Sequence, residues 1–199
     1  MGRTHHMGIC EEHFYTSALA TASFLESQTP NGSAYIIGDA GLIHAMYSVG
    51  YTMNNVNPDY VVVADPRSYN FEKIELAINL VLKGARLIGT NSDISGPVEN
   101  GITPSTKALI APIELTTGKN AYFVGKPNPL MMRSALKKLG IDNEKAIVIG
   151  DRMDTDIICG IEAEIDTLLV LSGITAKEDI VKYPYRPKYI INGVIDLME

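Results

Sequence analysis

Three aspartates and one lysine stand where an α/β chain builds its sites. The stretch Ala146-Ile147-Val148-Ile149-Gly150-Asp151-Arg152-Met153-Asp154-Thr155-Asp156-Ile157 reads as a buried strand that stops at a glycine. Asp151 then falls at the carboxyl end of the sheet and Asp156 near the start of the following helix. Carboxylates gathered at such an edge are hard oxygen ligands suited to Mg²⁺, which keeps several waters and takes one or two carboxylates plus a phosphate. The same residues also have a plain structural use, with Asp154 or Thr155 capping the helix and Asp151 in a solvated turn. Upstream, Gly125-Lys126-Pro127-Asn128-Pro129 follows an apolar run ending at Val124 and precedes a capped helix. A turn that stiff holds Lys126 at the rim of a sheet, where an ammonium can neutralise a phosphate and the charge that develops during its transfer. A solvated lysine is the plain alternative. A third segment, Asn91 to Gly101, is rich in Ser, Asp, Gly, Asn and Pro and reads as the longest strand-free connection. Asn91 and Asp93 are its candidates for substrate contact.

The elements that must position these groups are legible as short β-branched runs alternating with stretches of helical period, the pattern of an α/β protein with largely parallel strands. The runs are 34–37, 60–63, 86–89, 121–124, 146–149, 168–171 and 189–191. Between them, the segment after Ser17 puts Ala18, Leu19, Ala22 and Leu25 on one helical face, with Thr16 or Ser17 as its cap. Gly50, Gly84 and Gly140 each follow a helical run where the chain turns left-handed. Thr103-Pro104 and Asn128-Pro129 each set a capping side chain before a proline at the first helical position. Pro112, inside the run 105–117, is expected to kink that helix.

The order Gly-Lys-Pro, a helix, then a strand followed by Gly-Asp-Arg-Met-Asp-Thr-Asp-Ile resembles the third and fourth motifs of the haloacid dehalogenase (HAD) superfamily. Within it, Phe14-Tyr15-Thr16-Ser17-Ala18-Leu19-Ala20-Thr21, Val56-Asn57-Pro58-Asp59, Gly89-Thr90-Asn91-Ser92-Asp93 and Leu171-Ser172-Gly173 are similar to the NagD and 4-nitrophenylphosphatase branch. That branch inserts its cap domain between the second and third motifs. The resemblance runs from about Phe14 onward. It implies a C2-type α/β cap over residues 17–122 and the C-terminal part of a Rossmann-like HAD core, with a parallel sheet, over 123–199. Residues 1–16 are then a remnant of the N-terminal core.

The activity implied is Mg²⁺-dependent hydrolysis of phosphate monoesters, of small metabolites or aryl phosphates, through a phospho-aspartate. By position, Lys126 takes the charge-stabilising role of the third motif and Asp151 the metal role of the fourth, with Asp156 as a second carboxylate of that shell. The nucleophile motif, an apolar strand followed by Asp-x-Asp-Gly, should precede the cap and is absent from this chain. Neither Gly38-Asp39-Ala40-Gly41 nor Ala64-Asp65-Pro66-Arg67 supplies its second aspartate, and Thr90-Asn91 falls in the cap. Because the family's nucleophile strand lies in the middle of the core sheet, Ile147, Ile149, Leu169 and Leu171 are expected to be left uncovered. Where the family often has glycine after the helix that follows the fourth motif, this chain has Ala163-Glu164, so a positive φ there would cost about 1 kcal/mol.

Composition narrows the field further. The 199 residues carry 17 Lys and Arg against 23 Asp and Glu, a formal net charge of −6 that gains nothing from a polyanion, so nucleic acid is not an expected partner. No apolar run approaches the roughly 18 residues of a membrane span. Cys10 and Cys159 have neither metal-ligand nor redox-pair spacing and suit a reducing, cytoplasmic setting. Residues 1–7, with His5 and His6, lack the pattern of a signal or transit peptide. The expected partners are a small phosphorylated molecule and a further copy of the chain. A rival reading is a catalytically inactive, truncated remnant that retains weak metal or phosphate binding. A nucleotide loop at Gly38-Asp39-Ala40-Gly41 lacks the further glycines of either common fingerprint.

Overall fold

The computed structural model describes residues 10–198. His5, His6 and most of the 1–16 segment therefore lie outside the described residues. In chain order the elements are α1 (Ser17–Gln28), β1 (Ser33–Ile37), α2 (Ala40–Ser48), β2 (Thr52–Met53), β3 (Tyr60–Val63) and α3 (Phe71–Leu82). Next come β4 (Arg86–Gly89), β5 (Ser95–Val98), β6 (Gly101–Pro104), α4 (Thr106–Thr117), β7 (Tyr122–Phe123) and α5 (Leu130–Leu139). The chain closes with β8 (Ile147–Gly150), α6 (Ile158–Glu162), β9 (Asp166–Val170) and β10 (Tyr189–Ile191).

Strands β2-β1-β3-β4-β7 form one parallel sheet and β10-β9-β8 another. The period of two in β3 explains how the first sheet is covered on both faces. Tyr60 and Val62 join Leu25 of α1 and Leu42 and Met46 of α2 in one core, while Val61 and Val63 join Leu80 of α3 and Ile110 and Ile113 of α4 in another. The second sheet has smaller cores. Leu169 packs with Met153, Ile157 and Ile180, and Val148 with Ala163 and Ile165, against Met132 and Leu136 of α5. Leu169 is thus fully buried, against the expectation that it would be uncovered, and Leu171 is half-buried against the same cluster. Ile147 and Ile149 are left open as expected, each 43% exposed.

This asymmetry has an expected outcome in hydrogen exchange on the dilute monomer. Amides of β3, central and buried on both faces, should be protected roughly a hundredfold or more beyond those of β8, which has one neighbour and one covered face. Equal protection in the two strands would show that the smaller sheet needs no further cover.

Local signals account for most element ends. The Leu19 amide donates to Thr16 Oγ1 at 3.3 Å, and Gly50, Gly84 and Gly140 hold φ of 83°, 115° and 67°. Two readings need correction. The helix after Thr103-Pro104 starts at Thr106 with Ser105 at its cap, because Pro104 is spent in β6. Its end at Thr117, with Pro112 inside, is as read. The segment 91–101 is not strand-free, since β5 and β6 pair as an antiparallel hairpin around the two-residue turn Glu99-Asn100, with Gly101 opening β6 at φ 134°. At the other proline start, Asn128 caps as expected, its Oδ1 accepting from the Leu130 amide at 3.0 Å.

Glu164 holds φ 61°, the left-handed conformation anticipated from its position. Glu164→Gly should therefore stabilise the chain by up to about 1 kcal/mol, since glycine meets no Cβ penalty there. Urea unfolding would read this as a higher midpoint at unchanged slope; an unmoved midpoint would mean that the turn is not strained.

Candidate functional site

The turn after β7 is tied to the end of β4 by two backbone bonds, Val124 N–H to Gly89 O at 3.0 Å and Gly125 N–H to Thr90 O at 2.9 Å. A Cβ on Gly125 would lie 2.3 Å from the Thr90 carbonyl oxygen, so only glycine lets the two backbones meet. Lys126 follows at once. Its Nζ lies 2.6 Å from Asp156 Oδ1, and Ser92 Oγ donates to its carbonyl at 3.3 Å.

Asp156 sits in a π-helical turn, Met153–Ile157, where the Arg152 carbonyl accepts from both the Asp156 and Ile157 amides at 3.1 Å. Such wide turns re-aim a side chain, and here they lay the Asp156 carboxylate over Gly150. Asp156 is 6% exposed, yet both oxygens are satisfied, Oδ1 by Lys126 and Oδ2 by the Arg152 amide at 3.2 Å. A buried carboxylate needs such partners to remain charged.

Asp151, at the end of β8, is held by the loop that follows β9. Its Oδ2 accepts from the Ile174 amide at 2.9 Å and its carbonyl from the Thr175 amide at 3.0 Å. Gly173 lies against the carboxylate so closely that an added Cβ would come within 2.2 Å of Oδ2. Among the described residues Asp151 Oδ1 takes no hydrogen bond. Asp151 and the Lys126–Asp156 pair thus gather at the carboxyl end of β8.

Asn91 and Asp93 are placed differently. Asn91 Nδ2 donates to Asp65 Oδ2 at 3.2 Å and to Thr106 Oγ1 at 3.0 Å, and Asp65 also accepts from the hydroxyls of Ser105 and Thr106 at 2.9 and 2.8 Å. This network joins the ends of β3 and β4 to the start of α4. Asp93 instead reaches Arg152, Oδ1 to Nη1 at 3.2 Å. Arg152 also grips Asp154 through Nε at 3.0 Å and Nη2 at 2.8 Å. That fork holds the Asp154 carboxyl below its ordinary range, chiefly through the guanidinium hydrogen bonds, and Asp154 raises Arg152 in turn.

Asp65, Ser105, Arg152 and the 173–175 loop were not singled out from the sequence as site residues. For Asp65 a signal existed, an aspartate just past the fully buried strand β3, the same placement that marked Asp151. For Arg152 none did, because its partner Asp93 is 59 residues away. Cys159 is buried, donates to Asn128 O at 3.3 Å and has its thiol pushed up to about 11 by burial, which leaves it an inert packing group. Among the described residues no three His, Cys, Asp or Glu side chains converge as a ready-made metal cage.

Comparison with known proteins places this geometry in a family. The family described as "HAD-hyrolase-like" matches residues 123–197. Dihydroxyacetone phosphatase of Corynebacterium glutamicum (strain R) is 47% identical over 197 residues, covering 99% of this chain and 72% of its own length. Ribonucleotide monophosphatase NagD of Escherichia coli (strain K12) is 42% identical over 184 residues, 92% of this chain and 72% of NagD. The solved structure of NagD from the K-12 strain superposes with a TM-score of 0.88 at 41% identity, over 94% of this chain and 73% of that one. Identity and shared fold extend over both sheets, so the chain belongs to the NagD-like branch of the HAD superfamily.

Proposed function

We propose that this chain carries the phosphate- and metal-binding end of a HAD phosphatase site for small phosphorylated metabolites or aryl phosphates. The observation that supports this most is the Lys126–Asp156 pair, 2.6 Å apart at the strand end that also bears Asp151. In this reading Lys126 neutralises the phosphoryl oxygens, Asp151 is the metal ligand, and Asp156 orients Lys126 and supports that shell. Asn91 and Asp93 act from the cap. Asn91, braced by Asp65, faces substrate, and Asp93 sets the cap turn against Arg152. Residues 17–122 are read as the cap, 123–199 as the C-terminal part of the core and 1–16 as a remnant of its N-terminal part.

The donor set fits Mg²⁺ as that ion is usually held, by one or two carboxylates with waters and phosphate completing six oxygens. When bound, Mg²⁺ would neutralise a phosphate dianion and let a carboxylate approach it. Asp151 Oδ1 is the oxygen available, while both oxygens of Asp156 are engaged. Cytoplasmic localisation belongs to the same reading; no helix of the described residues is long and apolar enough to cross a membrane.

Two expectations test it. Mg²⁺ alone should bind weakly, because one open carboxylate oxygen gives little return for the waters the ion would give up. Calorimetry showing tight Mg²⁺ binding without phosphate would contradict that. With Mg²⁺ in excess, inorganic phosphate should bind measurably, and Lys126→Ala and Asp151→Asn should each weaken it about tenfold or more. Phosphate binding indifferent to both variants would remove the site from these residues.

A further inference from the structure

The larger sheet has a gap where β7 stops short of β4. Strand β4 pairs with β3 from Arg86 to Gly89, whereas β7 reaches only Ile88 and Gly89. The Arg86 and Thr90 amides donate toward β3, to Asp59 O at 3.1 Å and Val63 O at 3.0 Å, so strand alternation turns the Leu87 amide to the β7 side. There the chain has left the sheet, the Ala121 amide being drawn to Glu114 Oε1 at 2.7 Å. Among the described residues no hydrogen bond joins the Leu87 amide to the 119–121 turn.

This gap opens into a cleft of about 520 Å³, within the range of small-molecule sites. All its lining residues fall between Phe24 and Tyr122. The Phe24 and Tyr122 rings stack there at 5.2 Å, and Tyr122 is steadied by its hydroxyl, which accepts from Asn128 Nδ2 at 2.9 Å. Val81 and Ile88 add buried apolar surface. The charged groups of the cleft are Arg86 and Lys119, both exposed, and no Asp or Glu lines it. Neither cation forms an ion pair among the described residues. Arg86 lies over the Tyr60 ring at 4.1 Å and gives one hydrogen bond, Nη2 to Thr29 Oγ1 at 3.3 Å. A guanidinium carries five N–H donors, so most of them stay free. Asp59, whose carboxyl feels that charge, spends Oδ2 on the Ser33 amide and hydroxyl at 2.8 and 2.9 Å.

We propose that this cleft binds a small aromatic acid, with its ring against Phe24 and Tyr122 and its carboxylate met by Arg86, Lys119 and the Leu87 amide. Two unpaired cations and a free backbone donor select an anion, and the planar fork of Arg86 suits a carboxylate. Stacked rings beside an apolar wall select a flat ring over a flexible chain. The cleft lies at the amino ends of β3 and β4, whereas Asp65 and Asn91 stand past their carboxyl ends. It is therefore a second site, and the proposal stands independently of any phosphatase activity.

Titration of the whole chain with 2-naphthoate, followed by amide-resolved NMR, tests this. The expected result is saturable binding with a dissociation constant below about 1 mM and the largest shifts at Arg86, Leu87 and residues 119–122. Neutral 2-naphthamide, the same ring without the charge, should bind about tenfold more weakly or worse. Arg86→Gln should raise the dissociation constant about tenfold and Lys119→Gln several-fold. Lys119 is exposed in a turn, so its variant and the neutral probe decide the matter even where Arg86→Gln fails to fold. No saturable binding up to roughly 5 mM would overturn the proposal, as would naphthoate and naphthamide binding alike. Binding unmoved by Lys119→Gln would also overturn it. So would shifts centred on Lys126 or on residues 133–138, since the acid would then occupy another site.

Discussion

Gly150→Ala should cost about 3 kcal/mol or more and unfold the smaller sheet before the larger one. An alanine Cβ at this position would lie 2.2 Å from Asp156 Cβ, 2.5 Å from Cγ and 2.7 Å from Oδ2. Asp156 cannot swing aside cheaply, because Lys126 holds one oxygen at 2.6 Å and the Arg152 amide holds the other. Its turn is anchored as well, by Met153 and Ile157, both fully buried. Relief therefore requires β8 to part from the π-helical turn, which opens the Met153, Ile157, Leu169 and Ile180 cluster. Each of those side chains loses about 1.5–3 kcal/mol of burial if exposed, against a total domain stability of roughly 5–15 kcal/mol. Ordinary overpacking costs about 1–3 kcal/mol, and a clash with a pinned backbone-anchored carboxylate belongs at or above the top of that range. The control is Gly41→Ala, inside α2 with nothing within 4 Å of the added carbon. It should stabilise by about 0.5–1 kcal/mol through helix propensity. Urea denaturation of both variants reads the contrast; an unaltered midpoint for Gly150→Ala would mean that the carboxylate is not held as described.

The parts of this protein that follow from local chemistry were legible in its sequence. Short β-branched apolar runs located β1, β3, β4 and β8, Thr16 and Asn128 announced their helix starts, and three glycines announced left-handed turns. The Glu164 backbone was foreseen from the resemblance, because the family often has glycine after that helix. What escaped were features decided by distant partners. The β5–β6 hairpin is short and exposed, so hydrophobic alternation was too weak to reveal it, and its turn, Glu99-Asn100, is not one of the dipeptides that announce a tight hairpin. Leu169 was expected to lack cover because strand order alone was considered. Its cover comes from Met153 and Ile157 in the π-helical turn and from Ile180 beyond β9. Of the candidate site, the places of Lys126 and Asp151 just after strands, and of Asp156 near the next helix, were legible. Their distances, and the Asp93–Arg152 pair across 59 residues, were not.

The second large effect is one of kind, because a phospho-aspartate route needs a carboxylate nucleophile in line with phosphorus as well as groups that hold the phosphate. In the proposed reading Lys126, Asp151 and Asp156 do the holding, but the chain has no apolar strand followed by Asp-x-Asp-Gly anywhere in its 199 residues. Deleting a covalent route removes turnover altogether, whereas losing one binding contact only slows it. The measurement is release of alcohol from an aryl phosphate by the purified 199-residue chain with Mg²⁺ in excess, run beside Asp151→Ala and a mock purification. The account predicts no release above the mock preparation for either protein. Turnover by the chain that survives stringent purification and disappears in Asp151→Ala would contradict it, and would require a nucleophile among the residues described.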